Sequence, residues 1–561
     1  MFNRYPIPVL GPRPAARGDA VRIQRSYRFG ARDFFRLYQD EPLELTVTFL
    51  DGSRPGPRVV LHTDIGVTAP GDWPEHEFAT EDGRHFTLRL ALPRCGLFRF
   101  RIKHSFDDGT HWQWDRVPHS FVLVDPPSLR KVRLYTLIPS ASGTIRDWTA
   151  LLPGIAAMGF DALHLLPVTR MGASQSPYSA ADLFALDDRY LDPADPRDGL
   201  SQFEAFGEAC RQHGLRLCLD LVLNHVGIDS DMATLAPDWI VPDDTEADGL
   251  KRTGCWHMQD WIRWADLAAI NYDHPNPRTR RLIWDYMKQY ALFWTNYAAA
   301  TGGMVRFDNL HSSHPGFIAE LSAAVREQFP NAIILGEYFT DQFTLERTVP
   351  EWGINLVLGN SWENPFGPQL RHYIEYLHTV SDKLRHLCPI TTHDTLSPAQ
   401  LFGSERSCMP RYAICALYTT GQTGLVQGVE AGIRERVPFI GPSHRLDLTT
   451  GPDFRPFITR INALLAEYPV LRRGGNLSFV DGGHDAILAA YRRPGPGENG
   501  FLLLANLDTS NTQTVTVDLR PHGVALPLVL TDLLSGATET RVEAAFPVSV
   551  ESCGVKVYRI G

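Results

Sequence analysis

Four acidic residues of this 561-residue chain each lie at the end of an apolar run. They are Asp220 in LCLDLVLNH, Asp308 in MVRFDN, Glu337 in IILGEYF and Asp394 in ITTHDT. About 29 positions separate Asp308 from Glu337 and about 57 separate Glu337 from Asp394, the lengths of roughly one and two strand–helix units. This spacing places Asp308, Glu337 and Asp394 after the fourth, fifth and seventh strands of a barrel, where their carboxyl groups would converge.

Two converging carboxyl groups suit one reaction in particular. Cleavage of a glycosidic bond with retention needs a nucleophile and a general acid/base about 5–5.5 Å apart. Arg306 lies two residues before Asp308 on the same strand face, and we expect its guanidinium to keep Asp308 ionised as the nucleophile. Glu337 lies between an apolar run and two aromatic residues, a drier setting that favours the protonated form of an acid catalyst.

The third carboxyl group, that of Asp394, is expected to accept hydrogen bonds from substrate hydroxyl groups as the sugar ring distorts. His225 and His393 are natural hydroxyl-binding residues beside it. Any one of these acids taken alone is more simply a cap or an ion-pair partner. Four acids at barrel spacing, with Arg306 in register, favour a shared active site instead.

The elements that must position these residues are visible in the hydrophobic pattern. From about Val132, apolar runs such as VRLYTLIP, FDALHLLPV and INLVLGNSW alternate with amphipathic stretches. The segment RRLIWDYMKQYALFWTNY, from Arg280, repeats apolar residues at the helical period. Eight strands of this kind predict an α/β fold, a (β/α)8 barrel over residues 129–470.

Three other regions depart from this pattern. Residues from about 226 to 275 are too many for a strand–helix loop and predict a short inserted subdomain after strand three, carrying Trp256, Trp261 and Trp264. Residues 1–128 and 471–561 consist of short alternating runs separated by turn residues, such as LELTVTFLDG and GFLLLANLD. They predict an N-terminal and a C-terminal β-sandwich domain.

Composition limits the possible partners. The net charge of −10 lacks the basic footprint of a nucleic-acid binder. No window approaches 18 continuous apolar residues, and the first twenty residues lack the apolar core of a signal peptide, so we expect no membrane partner. The eight cysteines form no CxxC pair, which disfavours a metal site, and we interpret them as reduced thiols of a cytoplasmic protein.

Together these motifs resemble those of the α-amylase superfamily, glycoside hydrolase family 13. DLVLNH, VRFDN, LGEYF and TTHDT are similar to its four conserved segments and occur in the same order. SPYSAADLFALD, WADLAAINYDHP and GLVQGVEAG resemble further segments of the superfamily. The resemblance covers about Arg130 to the C-terminus and implies a catalytic barrel that acts on α-glucans or malto-oligosaccharides.

Carried over residue by residue, the resemblance implies that Asp308 is the nucleophile, Glu337 the acid/base and Asp394 the transition-state stabiliser. The residues that it implies around the substrate are Tyr178, His225, Arg306, His311, His393 and Asp220. In many members an asparagine at the position of Asn224 binds calcium. The insertion offers no recognisable partner ligands, so we expect no cofactor and keep calcium as an alternative.

The residues after Asp308 differ from those of many amylases, which have a Lys–His pair there. This chain has Asn309-Leu310-His311-Ser312. That pattern is similar to two subgroups, the maltosyltransferases that use maltose 1-phosphate and the glucanotransferase half of glycogen debranching enzyme.

The leading expectation is a retaining hydrolase of α-1,4-linked glucose oligosaccharides or α-glucan. The alternatives are a glucanotransferase or maltosyltransferase acting on a sugar or phosphate acceptor, a sucrose or trehalose isomerase, and a non-catalytic carbohydrate-binding scaffold. A homodimer is also left open.

Overall fold

The computed structural model describes residues 34–49, 57–67, 71, 73–115, 119–257, 260–449 and 451–561. The chain forms two compact units, the first comprising residues up to Arg94 with Phe98–Val124, and the second Cys95–Leu97 with Asp125–Gly561. Among the described residues, no helix is long and apolar enough to cross a membrane. Seven of the eight cysteines are buried, and Cys255 is partly exposed.

The first unit consists of two antiparallel sheets. Its strands are β1 (Phe34–Tyr38), β2 (Leu43–Thr48), β3 (Arg58–Thr63), β4 (Glu75–Glu77), β5 (Ala79–Thr80), β6 (His85–Leu90), β7 (Gly96–Ser105), β8 (Gln113–Trp114) and β9 (Ser120–Asp125). One sheet has the order β1-β9-β7-β3-β4 with β8 on β7, and the other β2-β6-β5. Leu45 and Phe86 from one sheet and Leu61 and Phe100 from the other share a core, which confirms the predicted N-terminal sandwich.

The second unit contains the predicted barrel. Its strands up to residue 426 are β10 (Arg133–Leu137), β11 (Ala162–Leu165), β12 (Thr169–Met171), β13 (Ala180–Leu186), β14 (Arg216–Leu221), β15 (His225–Gly227), β16 (Arg252–His257), β17 (Asp260–Ala269), β18 (Met304–Phe307), β19 (Ile333–Gly336), β20 (Leu356–Leu358), β21 (His386–Pro389) and β22 (Thr423–Val426). Eight of them close a parallel barrel in the order β10-β11-β14-β18-β19-β20-β21-β22. Asp308, Glu337 and Asp394 therefore follow the fourth, fifth and seventh barrel strands, as their spacing predicts.

Helices cover the barrel strands. They are α1 (Ile145–Ala157), α2 (Gly199–Gln212), α3 (Asp231–Leu235), α4 (Pro277–Ala300), α5 (Pro315–Gln328), α6 (Gln342–Trp352), α7 (Gly367–Thr379), α8 (Pro398–Phe402), α9 (Cys408–Ala413) and α10 (Arg455–Glu467). The helix predicted from Arg280 is α4, which begins earlier because Asn276 caps it and Pro277 opens its first turn. Trp294 anchors α4 by donating from Nε1 to the Leu183 carbonyl at 2.8 Å.

Two further sheets complete the second unit. After the third barrel strand, β15, β17 and β16 form a small antiparallel sheet, the predicted insertion. The C-terminal strands are β23 (Leu477–Phe479), β24 (Ile487–Arg492), β25 (Gly500–Asn506), β26 (Gln513–Asp518), β27 (Leu528–Asp532), β28 (Thr538–Arg541), β29 (Ala545–Val550) and β30 (Val555–Ile560). A sheet β23-β24-β25-β30-β27-β28 faces the pair β26-β29 across a common apolar core, a second sandwich.

Candidate active site

The backbone at the ends of β18 and β19 brings two of the predicted catalytic carboxylates together. The Asp308 N–H donates to the Leu221 carbonyl, and the Glu337 N–H donates to the Phe307 carbonyl, both at 3.0 Å. The turn that follows Asp308 is held against the next strand, because the Leu310 N–H donates to the Glu337 carbonyl at 2.9 Å. Asp308 and Glu337 therefore leave neighbouring strands at the same level of the barrel mouth.

One guanidinium contacts three carboxylates in this mouth. Arg306 Nη1 donates to both oxygens of Asp220, at 2.7 and 2.6 Å, and to Asp308 Oδ1 at 2.9 Å. Arg306 Nη2 lies 2.8 Å from Glu337 Oε2. Asp220 is fully buried, and Arg306, Asp308 and Glu337 are nearly so. The cluster thus has three acidic groups for one permanent cation.

This excess of acid decides the protonation of the cluster. Burial raises the pKa of Asp308 well above its usual range, and the opposing effect of Arg306 does not offset it; Glu337 and Asp220 raise it further. Burial also raises the pKa of Asp220, but Arg306 and His164 lower it by more, so its net pKa is below the usual range. The prediction that Arg306 keeps Asp308 ionised is therefore wrong, because burial outweighs the effect of a guanidinium that Asp308 shares with Asp220 and Glu337.

The third predicted carboxylate, Asp394, contacts His393, which is paired in turn with Tyr178. The Tyr178 hydroxyl donates to Asp220 Oδ2 at 2.9 Å and lies 2.6 Å from His393 Nε2. The two rings are parallel, with centroids 5.6 Å apart. His393 Nε2 also lies 3.0 Å from Asp394 Oδ2. The Asp394 side chain is 50% exposed, so it faces the opening, whereas Asp308 and Asp220 lie deeper.

The remaining predicted substrate residues lie around this group. His225 is buried, its Nε2 lies 3.2 Å from the Tyr178 carbonyl, and burial lowers the pKa of His225 to about 4. His311 is exposed, and its ring lies beside Phe339, with centroids 6.3 Å apart. The structure therefore brings Tyr178, His393 and Asp220 into direct contact. The His225 side chain contacts the backbone carbonyl of Tyr178, and His311 lies on the side of Glu337.

Sequence reasoning missed two residues of this site. His164 of β11 places Nε2 3.3 Å from Asp220 Oδ2; the only signal for it is a histidine inside the apolar run FDALHLLPV. Asn309 has φ +48°, the left-handed region, and its N–H donates to Glu337 Oε2 at 3.0 Å. Its position after the predicted nucleophile, and the tolerance of asparagine for this conformation, could have drawn attention to it.

No cluster of three or more His, Cys, Asp or Glu side chains suited to a metal ion occurs among the described residues. Asn224, the residue considered for calcium, has a buried side-chain oxygen with no hydrogen-bond partner in the described part of the chain. One amide oxygen is too few for calcium, which takes six to eight oxygen ligands.

Comparison with known proteins agrees with the predicted resemblance. Residues 127–241 match the family model described as the glucanotransferase domain of glycogen debranching enzyme. The chain is similar to α-1,4-glucan:maltose-1-phosphate maltosyltransferases of Chlorobaculum tepidum (23% identity, 71% of this chain and 62% of the relative) and Mycolicibacterium smegmatis (25% identity, 72% and 59%). The chain thus spans about three-fifths of the length of these relatives.

Solved structures share the fold. An α-amylase from Geobacillus thermoleovorans in complex with acarbose matches with a TM-score of 0.62 and 18% identity, over 77% of this chain and 99% of that one. A debranching enzyme from Nostoc punctiforme matches with a TM-score of 0.60 and 16% identity, over 78% and 99%. The comparisons confirm the resemblance to the α-amylase superfamily, and in particular to its maltosyltransferase and debranching-enzyme members.

Proposed function

We propose that this protein is a retaining, α-glucan-active transglycosylase that moves a malto-oligosaccharide unit from a donor to a sugar acceptor. The observation that carries the proposal is the pairing of Asp308 and Glu337 at neighbouring strand ends, both bonded to Arg306. Transfer is favoured over hydrolysis because the curated relatives and the matching family model are both named for transfer reactions. Hydrolysis, the leading expectation from the sequence, becomes the second candidate, since water can replace the sugar acceptor.

In the first half-reaction, Asp308 attacks the anomeric carbon while the bond to the leaving oxygen breaks. Glu337 donates its proton to that oxygen, so the leaving sugar departs as an alcohol and the donor remains as an ester on Asp308. Because the pKa of Asp308 is raised, the reaction requires the form of the site in which Asp308 is ionised and Glu337 carries the proton. Positive charge developing on the sugar ring favours that arrangement.

The hydrogen bonds to Glu337 indicate which oxygen transfers the proton. Arg306 Nη2 and the Asn309 N–H both contact Oε2, at 2.8 and 3.0 Å. A carboxyl oxygen that already accepts two donors is the poorer site for a proton, so Oε1 carries it. Oε1 is then the oxygen that faces the scissile bond.

In the second half-reaction, a hydroxyl group of the acceptor replaces the leaving sugar. Glu337, now a carboxylate, takes the hydroxyl proton as the oxygen attacks the anomeric carbon, and the Asp308 carboxylate leaves. Two inversions give net retention. Asp394 and the Tyr178–His393 pair bind the hydroxyl groups and the flat face of the sugar that is transferred.

A product time course tests the proposal. Maltoheptaose is incubated alone, with maltose and with phosphate, and maltose 1-phosphate is supplied with glycogen; products are read by mass spectrometry. Products longer than maltoheptaose, or extension of glycogen, support transfer and identify the donor. Shorter products alone would establish a hydrolase.

Asp308→Asn and Glu337→Gln are the matched controls, because both preserve side-chain size. Each should remove nearly all turnover while the fold is retained, as judged by circular dichroism. An unchanged substrate under every condition would favour the non-catalytic scaffold or an unrelated glycoside such as sucrose or trehalose.

The other properties remain proposals with direct tests. A cytoplasmic location, which the predicted reduced state of the cysteines supports, is tested by cell fractionation. Independence from calcium predicts unchanged turnover after treatment with EDTA. The possibility of a homodimer is tested by measuring the molar mass in solution by light scattering.

A further inference from the structure

His164 is a polar residue in a barrel interior, where bulky branched apolar side chains dominate. It lies in β11, is 3% exposed and is aligned with Thr136 of β10 and Cys218 of β14. Its ring contacts Thr136 on one side and Asp220 on the other. The contact with Asp220, rather than burial alone, is therefore the feature of His164 that bears on the site.

The partners determine the state of the ring. Asp220 is ionised against Arg306 and can only accept, so His164 Nε2 carries the hydrogen and donates to Asp220 Oδ2 at 3.3 Å. Nδ1 then accepts from the Thr136 hydroxyl at 3.2 Å. Burial lowers the pKa of His164, which favours the neutral ring.

Asp220 connects this ring to the rest of the site. Its Oδ2 accepts from Arg306 Nη1 at 2.6 Å and from the Tyr178 hydroxyl at 2.9 Å, as well as from His164. Arg306 in turn contacts Asp308 and Glu337. A rotation of the Asp220 carboxylate would therefore displace both the guanidinium and the tyrosine.

We propose that His164 is a positioning residue: its Nε2–H fixes the Asp220 carboxylate, which fixes Arg306 against the two catalytic carboxyls and Tyr178 against the sugar. This role rests on the proposed function. His164 does not touch the reacting atoms and transfers no proton. The charged and titratable groups that face it are Asp220, Arg306 and His393.

A pair of substitutions separates positioning from packing. The Gln amide nitrogen can occupy the place of His Nε2, whereas the shorter Asn can reach only the place of Nδ1. His164→Gln should keep kcat/KM within a few-fold of wild type. His164→Asn should lower it about a hundredfold, mostly in kcat, as expected for misplaced catalytic groups.

His378 supplies the control. It is also buried and bonded at both nitrogens, to the Tyr418 carbonyl and the Gly475 N–H at 2.9 Å, but it does not contact the site. His378→Asn should lower the melting temperature without changing kcat or the pH profile. If the activities of the His164 variants follow their melting temperatures, or if Asn is as active as Gln, the positioning role is refuted.

A second measurement does not depend on activity. In wild-type protein with 15N-labelled histidine, the NMR signals of His164 should show a neutral ring with its hydrogen on Nε2 at pH 8. A ring that carries its hydrogen on Nδ1 at this pH would overturn the inference. If wild-type protein acts on no α-glucan, the proposed function fails, and this spectrum alone decides the arrangement around His164.

Discussion

Asp220→Asn tests how charge is distributed in the buried cluster. Asp220 Oδ2 and Asp308 Oδ1 both bond Arg306 Nη1, so these oxygens lie no more than about 5.5 Å apart. At an effective dielectric constant of about 20, a unit charge at that distance contributes about 3 kcal/mol, roughly a hundredfold in an ionisation equilibrium.

The sign follows from the role of Asp308. As the proposed nucleophile, Asp308 must be ionised to attack; its pKa is raised, chiefly by burial, and the negative charge of Asp220 contributes to that rise. Removing this charge lowers the pKa of Asp308, so activity persists to lower pH. The acid limb of kcat/KM, which reports the free enzyme, should move about one to two pH units toward acid. The plateau should fall as well, because Arg306 and Tyr178 lose their acceptor.

The assay is kcat/KM for maltoheptaose from pH 3.5 to 8, with Asp481→Asn as the matched control. Asp481 is also a buried carboxylate and pairs with Arg371 at 3.1 Å, away from the barrel mouth. Breaking that pair should cost about 3–5 kcal/mol of stability and leave the acid limb unchanged. An acid limb that stays in place in Asp220→Asn, or moves to higher pH, would refute the shared-charge explanation.

Three further predictions concern other parts of the chain. Glu337→Gln should lower the turnover of maltoheptaose by at least about a hundredfold. It should still form the glycosyl-enzyme normally from α-maltosyl fluoride, because fluoride leaves without a proton. A burst of released fluoride detects this step, and the absence of a burst would contradict the acid role. Asn276→Ala removes the cap of α4 and should cost about 1 kcal/mol in urea unfolding, whereas an unchanged midpoint would show that Pro277 suffices. A thiol reagent should label Cys255 alone in the folded protein and all eight cysteines in urea; rapid labelling of two or more in the folded state would contradict their burial.

The barrel could be predicted because its strands are short, fully buried apolar runs whose spacing is set by the covering helices. Even β20, with only three residues, is recognisable in INLVLGNSW. The acids after β18, β19 and β21 follow from the same pattern, since polar residues that end buried strands must lie at the mouth. The start of α4 was placed late because capping by Asn276 is a local signal outside the apolar period.

The charge contacts within the site could not be predicted from the sequence in the same way. A sequence shows that Arg306 is two residues from Asp308 but not that the same guanidinium also contacts Asp220 and Glu337 from two other strands. His164 could not be predicted for a related reason. The role of a histidine in an apolar run can be inferred only when its partner, here Asp220 of another strand, is known. The protonation of a site depends on how many charged groups are in contact, and that number is known only from the folded structure.

The left-handed backbone at Asn309 limits how this site can evolve. Its neighbour on one side is the predicted nucleophile, and its N–H contacts the predicted acid. A β-branched or bulky residue would strain the turn at φ +48°, so the substitutions that keep this turn with a small side chain are aspartate and glycine. Aspartate would add a fourth acid to a cluster with one cation, and glycine would loosen the turn that aligns both carboxyls. Neither the aspartate nor the glycine substitution would therefore be neutral. We expect position 309 to change more slowly than its surroundings, and most variants at this position in a randomised library to lose activity.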